Sequence, residues 1–171
     1  ITVVSLWGEI EFLNTITSTA ELAMGLLIDI MRFTPWAFDT VKNYKWDREN
    51  FRGHTLYEKT LGIVGMGRLG TWMARYGKAF GMDVIFYSPH TDKSPVSGCV
   101  KVTFDELLEK SDFISLHMHL NKETENMFNA DVFKKMKKTA YLINTARGKV
   151  VDEAALLEAL KNGEIAGYAA D

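Results

Sequence analysis

One glycine-spaced turn constrains this chain more than any other feature. Thr60-Leu61-Gly62-Ile63-Val64 is a continuous apolar run, Gly65-Met66-Gly67-Arg68-Leu69-Gly70 follows directly, and Arg68 to Phe80 has helical spacing and closes at Gly81. A short apolar run bounded by glycine reads as a buried strand, so the turn joins a strand to a helix. Gly65 permits the tight bend. Gly67 removes the Cβ that would hold an anion away from the backbone, and Gly70 lets helix and strand pack closely. The N–H groups of Arg68 and Leu69 then face outward at a helix N-terminus, where backbone donors and the helix dipole favour a phosphate. The spacing alone is a weak signal. Its position between strand and helix makes it point to the pyrophosphate of a dinucleotide.

The rest of the chain repeats the alternation. Strands are expected at Asp83–Tyr87, Asp112–His117, Ala140–Asn144 and Ile165–Ala170. Helices are expected after Thr103, whose Thr-x-x-Glu pattern is a capping box, over Asn129–Met136, and after Asp152 as far as Lys161. Continuous apolar strands alternating with helices mean an α/β fold: a Rossmann-type doubly wound parallel sheet with helices on both faces. Before the first strand, Ser18-Thr19-Ala20-Glu21 reads as another capping box. The helix over Ala20–Phe33 is apolar nearly all round, which predicts burial on more than one side. Pro35 is expected to kink or end it, and Lys42–Gly53 reads as a loop anchored by Tyr44, Trp46 and Phe51.

Composition excludes several classes. Lys+Arg is 20 and Asp+Glu is 22, a net charge of −2, which argues against nucleic-acid binding. The longest apolar block, Ala20–Ile28, is interrupted by Glu21 and too short to span a bilayer. The single cysteine, Cys99, cannot form an internal disulfide, so a reducing, cytoplasmic location is expected. Cys99 itself reads as an inert loop residue beside Gly98. His117 and His119 would share one face of a strand, but no third ligand is apparent, so no metal site is expected. The chain opens in an apolar run and stops directly after a strand, so it is expected to be a piece of a longer protein, ending before the domain is complete.

A dinucleotide site of this type normally carries an acidic residue at the end of the second strand, to hold the ribose hydroxyls. Here that position is Ser88. Serine can still hydrogen-bond a ribose hydroxyl, and it removes the charge that would repel a 2′-phosphate. NAD is the expected cofactor, with NADP the second choice. Arg147 follows the strand ending at Asn144 and precedes Gly148, at the edge of the sheet where ligands bind; a guanidinium there can grip a carboxylate.

The blocks Ser18–Leu22, Lys59–Gly70, Asp112–His117, Asn144-Thr145-Ala146-Arg147-Gly148 and Gly163–Asp171 together resemble the D-isomer-specific 2-hydroxyacid dehydrogenase family, in its phosphoglycerate dehydrogenase-like branch. The resemblance covers nearly the whole chain. It implies that Arg147 is the catalytic arginine, binding the substrate carboxylate and C2 oxygen. It implies that Arg68 and Leu69 bind the pyrophosphate. Ser88 would meet the adenosine ribose, and His117, Met118 and His119 would line the adenine and ribose side. Thr145 and Ala146 would contact the nicotinamide ribose through their backbone, and Asp171 would hold the carboxamide. Residues 1–13 would be the remnant of an adjoining substrate-domain region, and 14–171 the NAD-binding domain with an N-terminal dimerisation helix. A small 2-hydroxy or 2-keto acid substrate, 3-phosphoglycerate among them, and a homodimer are implied.

Three departures stand out. His119 occupies a position where the family usually has proline, and Glu58 stands where it usually has glycine. The family's acid–base histidine and its partner glutamate match nothing here, so the isolated chain is expected to bind NAD without turning over. The competing reading is a non-catalytic, NAD-responsive binding protein of the corepressor type.

Overall fold

The computed structural model describes residues 8–171. Three helices come first: α1 (Ile10–Asn14), α2 (Ser18–Arg32) and α3 (Thr34–Lys42). The alternating part follows as β1 (Thr60–Val64), α4 (Arg68–Ala79), β2 (Asp83–Tyr87), β3 (Cys99–Lys101), α5 (Phe104–Lys110), β4 (Phe113–Leu116), α6 (Ala130–Lys135), β5 (Tyr141–Asn144), a 3-10 turn at Gly148–Val150, α7 (Glu153–Lys161) and β6 (Gly167–Ala170). All neighbouring strands are parallel, in the order β3-β2-β1-β4-β5-β6. The order reverses between β1 and β4, the switch point where open α/β sheets bind ligands.

Strand alternation sends side chains into two separate cores. Leu61, Ile63, Val84, Phe86, Phe113 and Ile143 pack with α2 and α4, including Leu27, Met31, Met73 and Ala74. Val64, Ile114, Leu116 and Leu142 pack on the other face with Leu107, Leu108, Phe133 and Leu156 of α5–α7. A Cβ on Gly62 would overlap the Ser111 hydroxyl and press on Leu107, so glycine there sets how closely α5 approaches β1.

Several local expectations hold in atomic detail. Thr103 caps α5 with both hydrogen bonds of a capping box and Asp152 caps α7 through the Ala155 N–H, while Asn129, expected as the first residue of α6, is its cap, accepting from the N–H groups of Asp131 and Val132. Others need correction. The N-cap of α2 is Thr17, whose hydroxyl donates to the Glu21 carboxylate, and no side chain caps the backbone; Ser18 is already helical. Ala20, Ala23, Met24, Leu27, Ile30 and Met31 form one buried stripe of α2, while Leu22 is exposed, so burial is one-sided in this chain. Pro35 does not end α2. Phe33 does, by adopting the left-handed conformation (φ +54°), and Pro35 then opens α3 in its favoured first turn. The stretch expected to be loop from Lys42 therefore begins as the end of a helix. Tyr44 and Trp46 anchor nothing: they are 100% and 87% exposed. Cys99 starts edge strand β3, paired with Val84, instead of lying in a loop.

Candidate functional site

Register builds the site. Val64 pairs with both Tyr87 and Leu116, Leu116 with Asn144, and Asn144 with Ala170. The carboxyl ends of β2, β1, β4, β5 and β6 thus lie in one row across the sheet. The next residue of each strand is Ser88, Gly65, His117, Thr145 and Asp171. Three of these continue the ladder: Gly65 N–H donates to the Tyr87 carbonyl (2.9 Å), His117 N–H to Val64 (2.8 Å) and Asp171 N–H to Asn144 (3.2 Å). Residues spread from position 65 to position 171 of the sequence become one edge.

The glycine turn has the geometry its spacing demands. Gly65 sits at φ +96°, and a Cβ there would lie 2.6 Å from the His117 carbonyl oxygen. A Cβ on Gly70 would overlap the Gly65 carbonyl oxygen. Around Gly67 there is nothing within 4 Å of where a Cβ would sit, and the residue is exposed. Two of the glycines are therefore required by the protein's own packing. The third leaves an open space at the N-terminus of α4, whose first turn holds no acidic residue. That is what an anion-binding turn needs. The Arg68 side chain, however, does not face this space: its guanidinium donates to the carbonyls of Leu13 (2.8 Å) and Ile16.

Ser88 is buried at the end of β2, and no carboxylate occupies its position. His117 Nε2 and the hydroxyl of fully buried Ser115 lie 2.8 Å apart. Burial lowers the imidazole to about 4, so the ring is neutral at physiological pH. Met118 packs partly into the core beneath the row, while His119 is exposed. The strand ends at Leu116, so His117 and His119 do not share a strand face; among the described residues no group of three His, Cys, Asp or Glu is placed to hold a metal.

The Asn144–Gly148 block is organised by Asn144, which sequence reasoning left without a role. Its buried side chain accepts from the Ala146 N–H (3.0 Å) and donates to the Arg147 carbonyl (3.0 Å) and the Tyr168 hydroxyl (3.2 Å). A buried amide bonded on both sides fixes the turn that presents Arg147, and leaving either side unpaired costs on the order of 1–3 kcal/mol. Arg147 is exposed and donates to the Ala146 carbonyl, leaving most of its fork unpaired. The Thr145 hydroxyl is buried without a hydrogen-bond partner, in the same row. The open space at Gly67, the orphaned Thr145 hydroxyl and the largely unpaired Arg147 guanidinium leave this edge with groups able to meet an anionic ligand.

The family model for the D-isomer specific 2-hydroxyacid dehydrogenase NAD binding domain matches residues 24–171. D-3-phosphoglycerate dehydrogenase of Bacillus subtilis is 46% identical over 160 residues, covering 92% of this chain and 30% of that protein. Glyoxylate reductase of Thermococcus litoralis is 44% identical over 164 residues, covering 90% and 49%. Among solved structures, D-lactate dehydrogenase of Aquifex aeolicus with NAD and lactic acid superposes with a TM-score of 0.85 at 39% identity, covering 90% of this chain and 47% of that one. The chain spans about half or less of the relatives it matches. On the family-model match over residues 24–171, the chain belongs to the D-isomer specific 2-hydroxyacid dehydrogenase family, as its NAD-binding domain.

Proposed function

We propose that this chain is the cofactor half of an NAD-dependent oxidoreductase acting on a D-2-hydroxy acid and its 2-keto partner. The observation that carries the reading is the level row of strand ends, which sets the glycine turn, Ser88, His117, Thr145 and Asp171 along one edge with Arg147 beside it. When bound, the nicotinamide supplies the two-electron acceptor or donor. The backbone N–H groups of Arg68 and Leu69, with the open space at Gly67 and the turn held by Gly65 and Gly70, bind the pyrophosphate. Ser88 bonds the adenosine ribose, and the His117–Met118–His119 segment lines that side. Thr145 and Ala146 bound the nicotinamide ribose, and Asp171 orients the carboxamide. Arg147 binds the substrate carboxylate and polarises the C2 oxygen, a bidentate role suited to guanidinium.

Residues 14–171 act as the cofactor domain and 1–13 as part of the substrate-domain connection. The names of the relatives favour 3-phosphoglycerate or glyoxylate as the substrate class, and favour an enzyme over a corepressor. Ser88 leaves NADP acceptable beside NAD. The exposed Trp36, Phe38, Tyr44 and Trp46, with the uncovered side of α2, support a homodimer, and the single cysteine, Cys99, favours a reducing, cytoplasmic compartment. No helix of the described residues is long and apolar enough to cross a membrane.

The test is titration of the chain with NADH and NADPH, followed by tryptophan fluorescence, with sedimentation at micromolar concentration. Saturable NADH binding without 2-keto-acid-dependent oxidation is expected, because none of His54, His90, His117 and His119 matches the family's acid–base histidine. An absence of binding overturns the cofactor reading, and a purely monomeric chain overturns the dimer.

A further inference from the structure

Helix α1 is held in an unusual way. None of its residues is buried, and Ile10 and Phe12 are 68% and 53% exposed, so apolar packing does not fix it. Two of its C-terminal carbonyls, Leu13 and Asn14, and that of Ile16 just beyond it are met by side chains of α4, while Phe12 is met by Thr15. Arg68, the first residue of α4, donates to Leu13 and Ile16. Trp72, one turn later on the same face, donates through its indole N–H to Asn14 (3.3 Å). Trp72 is in turn backed by Tyr76 (ring centroids 5.9 Å apart) and lies under the Arg75 guanidinium at 4.4 Å. The cation of Arg68 thus sits at the negative end of one helix and the positive end of another.

Building on the cofactor reading above, we propose that Arg68 is a positioning residue that couples the cofactor turn to α1, and that its guanidinium is not a phosphate ligand. Its backbone N–H is left to the anion while its side chain carries the connector. A pyrophosphate that orders the first turn of α4 orders Arg68, and through Arg68 the Leu13–Ile16 turn. Trp72 assists from the second turn. The division of labour explains why an arginine whose charge would suit a phosphate spends its donors on two neutral carbonyls 52 and 55 residues away in sequence.

The experiment is amide hydrogen exchange of residues 10–17, with and without saturating NADH, on the chain and its Arg68→Met, Arg68→Lys and Trp72→Phe variants. NADH affinity is measured in parallel at low and high salt. In the parent chain, NADH is expected to slow exchange of this segment at least about 3-fold. In Arg68→Met, the apo segment should exchange about 10-fold faster and the NADH-dependent slowing should vanish, while affinity falls less than about 5-fold with an unchanged salt dependence. Arg68→Lys should restore part of the slowing, and Trp72→Phe should lose part of it. A merely structural arginine would change apo exchange and leave the NADH-dependent slowing intact, which overturns the coupling. A large loss of affinity with flattened salt dependence would make the guanidinium a phosphate ligand and overturn it as well. If the parent chain binds no NADH, the cofactor reading fails, and the apo exchange of Arg68→Met still decides whether Arg68 holds α1.

Discussion

The neutral imidazole of His117 makes stability at mildly acidic pH a direct readout of the centre of the site. The ring is buried against Ser115 and lowered to about 4, against 6.5 in a free chain. Between these values the unfolded chain binds a proton that the native state refuses, so stability is complete above pH 6.5 and is lost as pH falls towards 4. The full effect is 2.5 units at about 1.4 kcal/mol each, or about 3.4 kcal/mol, and at pH 5 about 2 kcal/mol of it is already gone. Part of His117 remains accessible, so both figures are ceilings. Urea unfolding of the chain, followed by its 4 tryptophans, should show this loss between pH 7.5 and pH 5. His117→Gln can keep a bond to Ser115 without a titrating ring, and it should lose about 2 kcal/mol less over the same interval. Equal losses in the two proteins, or a proton titration of His117 near 6.5, would refute the argument.

The glycine turn predicts a separation of stability from binding: Gly67→Ala should melt like the parent yet bind NADH at least about 10-fold more weakly, whereas Gly70→Ala, which meets the Gly65 carbonyl, should lose about 2–3 kcal/mol of stability. Melting curves and NADH titrations check both, and a Gly67→Ala protein that binds normally sinks the phosphate assignment. Ser88→Asp should lower NADPH affinity relative to NADH by at least about 10-fold; an unchanged ratio in competitive titration places the ribose elsewhere. Glu58 is held at φ +60°, a conformation costing a side-chain-bearing residue about 1–2 kcal/mol, so Glu58→Gly should gain about 0.5–1 kcal/mol after glycine's own entropy is subtracted. A lower unfolding midpoint for that variant contradicts the strain.

The sheet was legible because its signals are local: apolar runs, glycine at the bends, and Thr103 and Asp152 at the caps. The same holds for the row of site residues, each of which directly follows a strand. What escaped the sequence lacks such a marker. Phe33 takes a left-handed conformation usually reserved for glycine, so Pro35 looked like a stop instead of a start. The three residues of β3 are too few to show a period. Tyr44 and Trp46 look like anchors only if aromatic residues must be inside. The task of the Arg68 side chain depends on two backbone carbonyls, which carry no residue identity at all. Glu58 is an intermediate case: the family's usual glycine hinted at a special backbone position, and φ +60° supplies the reason.

The common row of strand ends makes the length of each strand part of the functional specification. A strand advances about 3.3 Å per residue and alternates faces, so deleting one residue inside β4 would draw His117 back by that distance and turn it to the opposite core. Substitutions within the strands cost packing at one point, but insertions or deletions there would misregister the Ser88 and His117 side of the row against the Thr145 and Asp171 side. A change of length would instead have to be absorbed in the loops that leave this edge or in the helices that return from it.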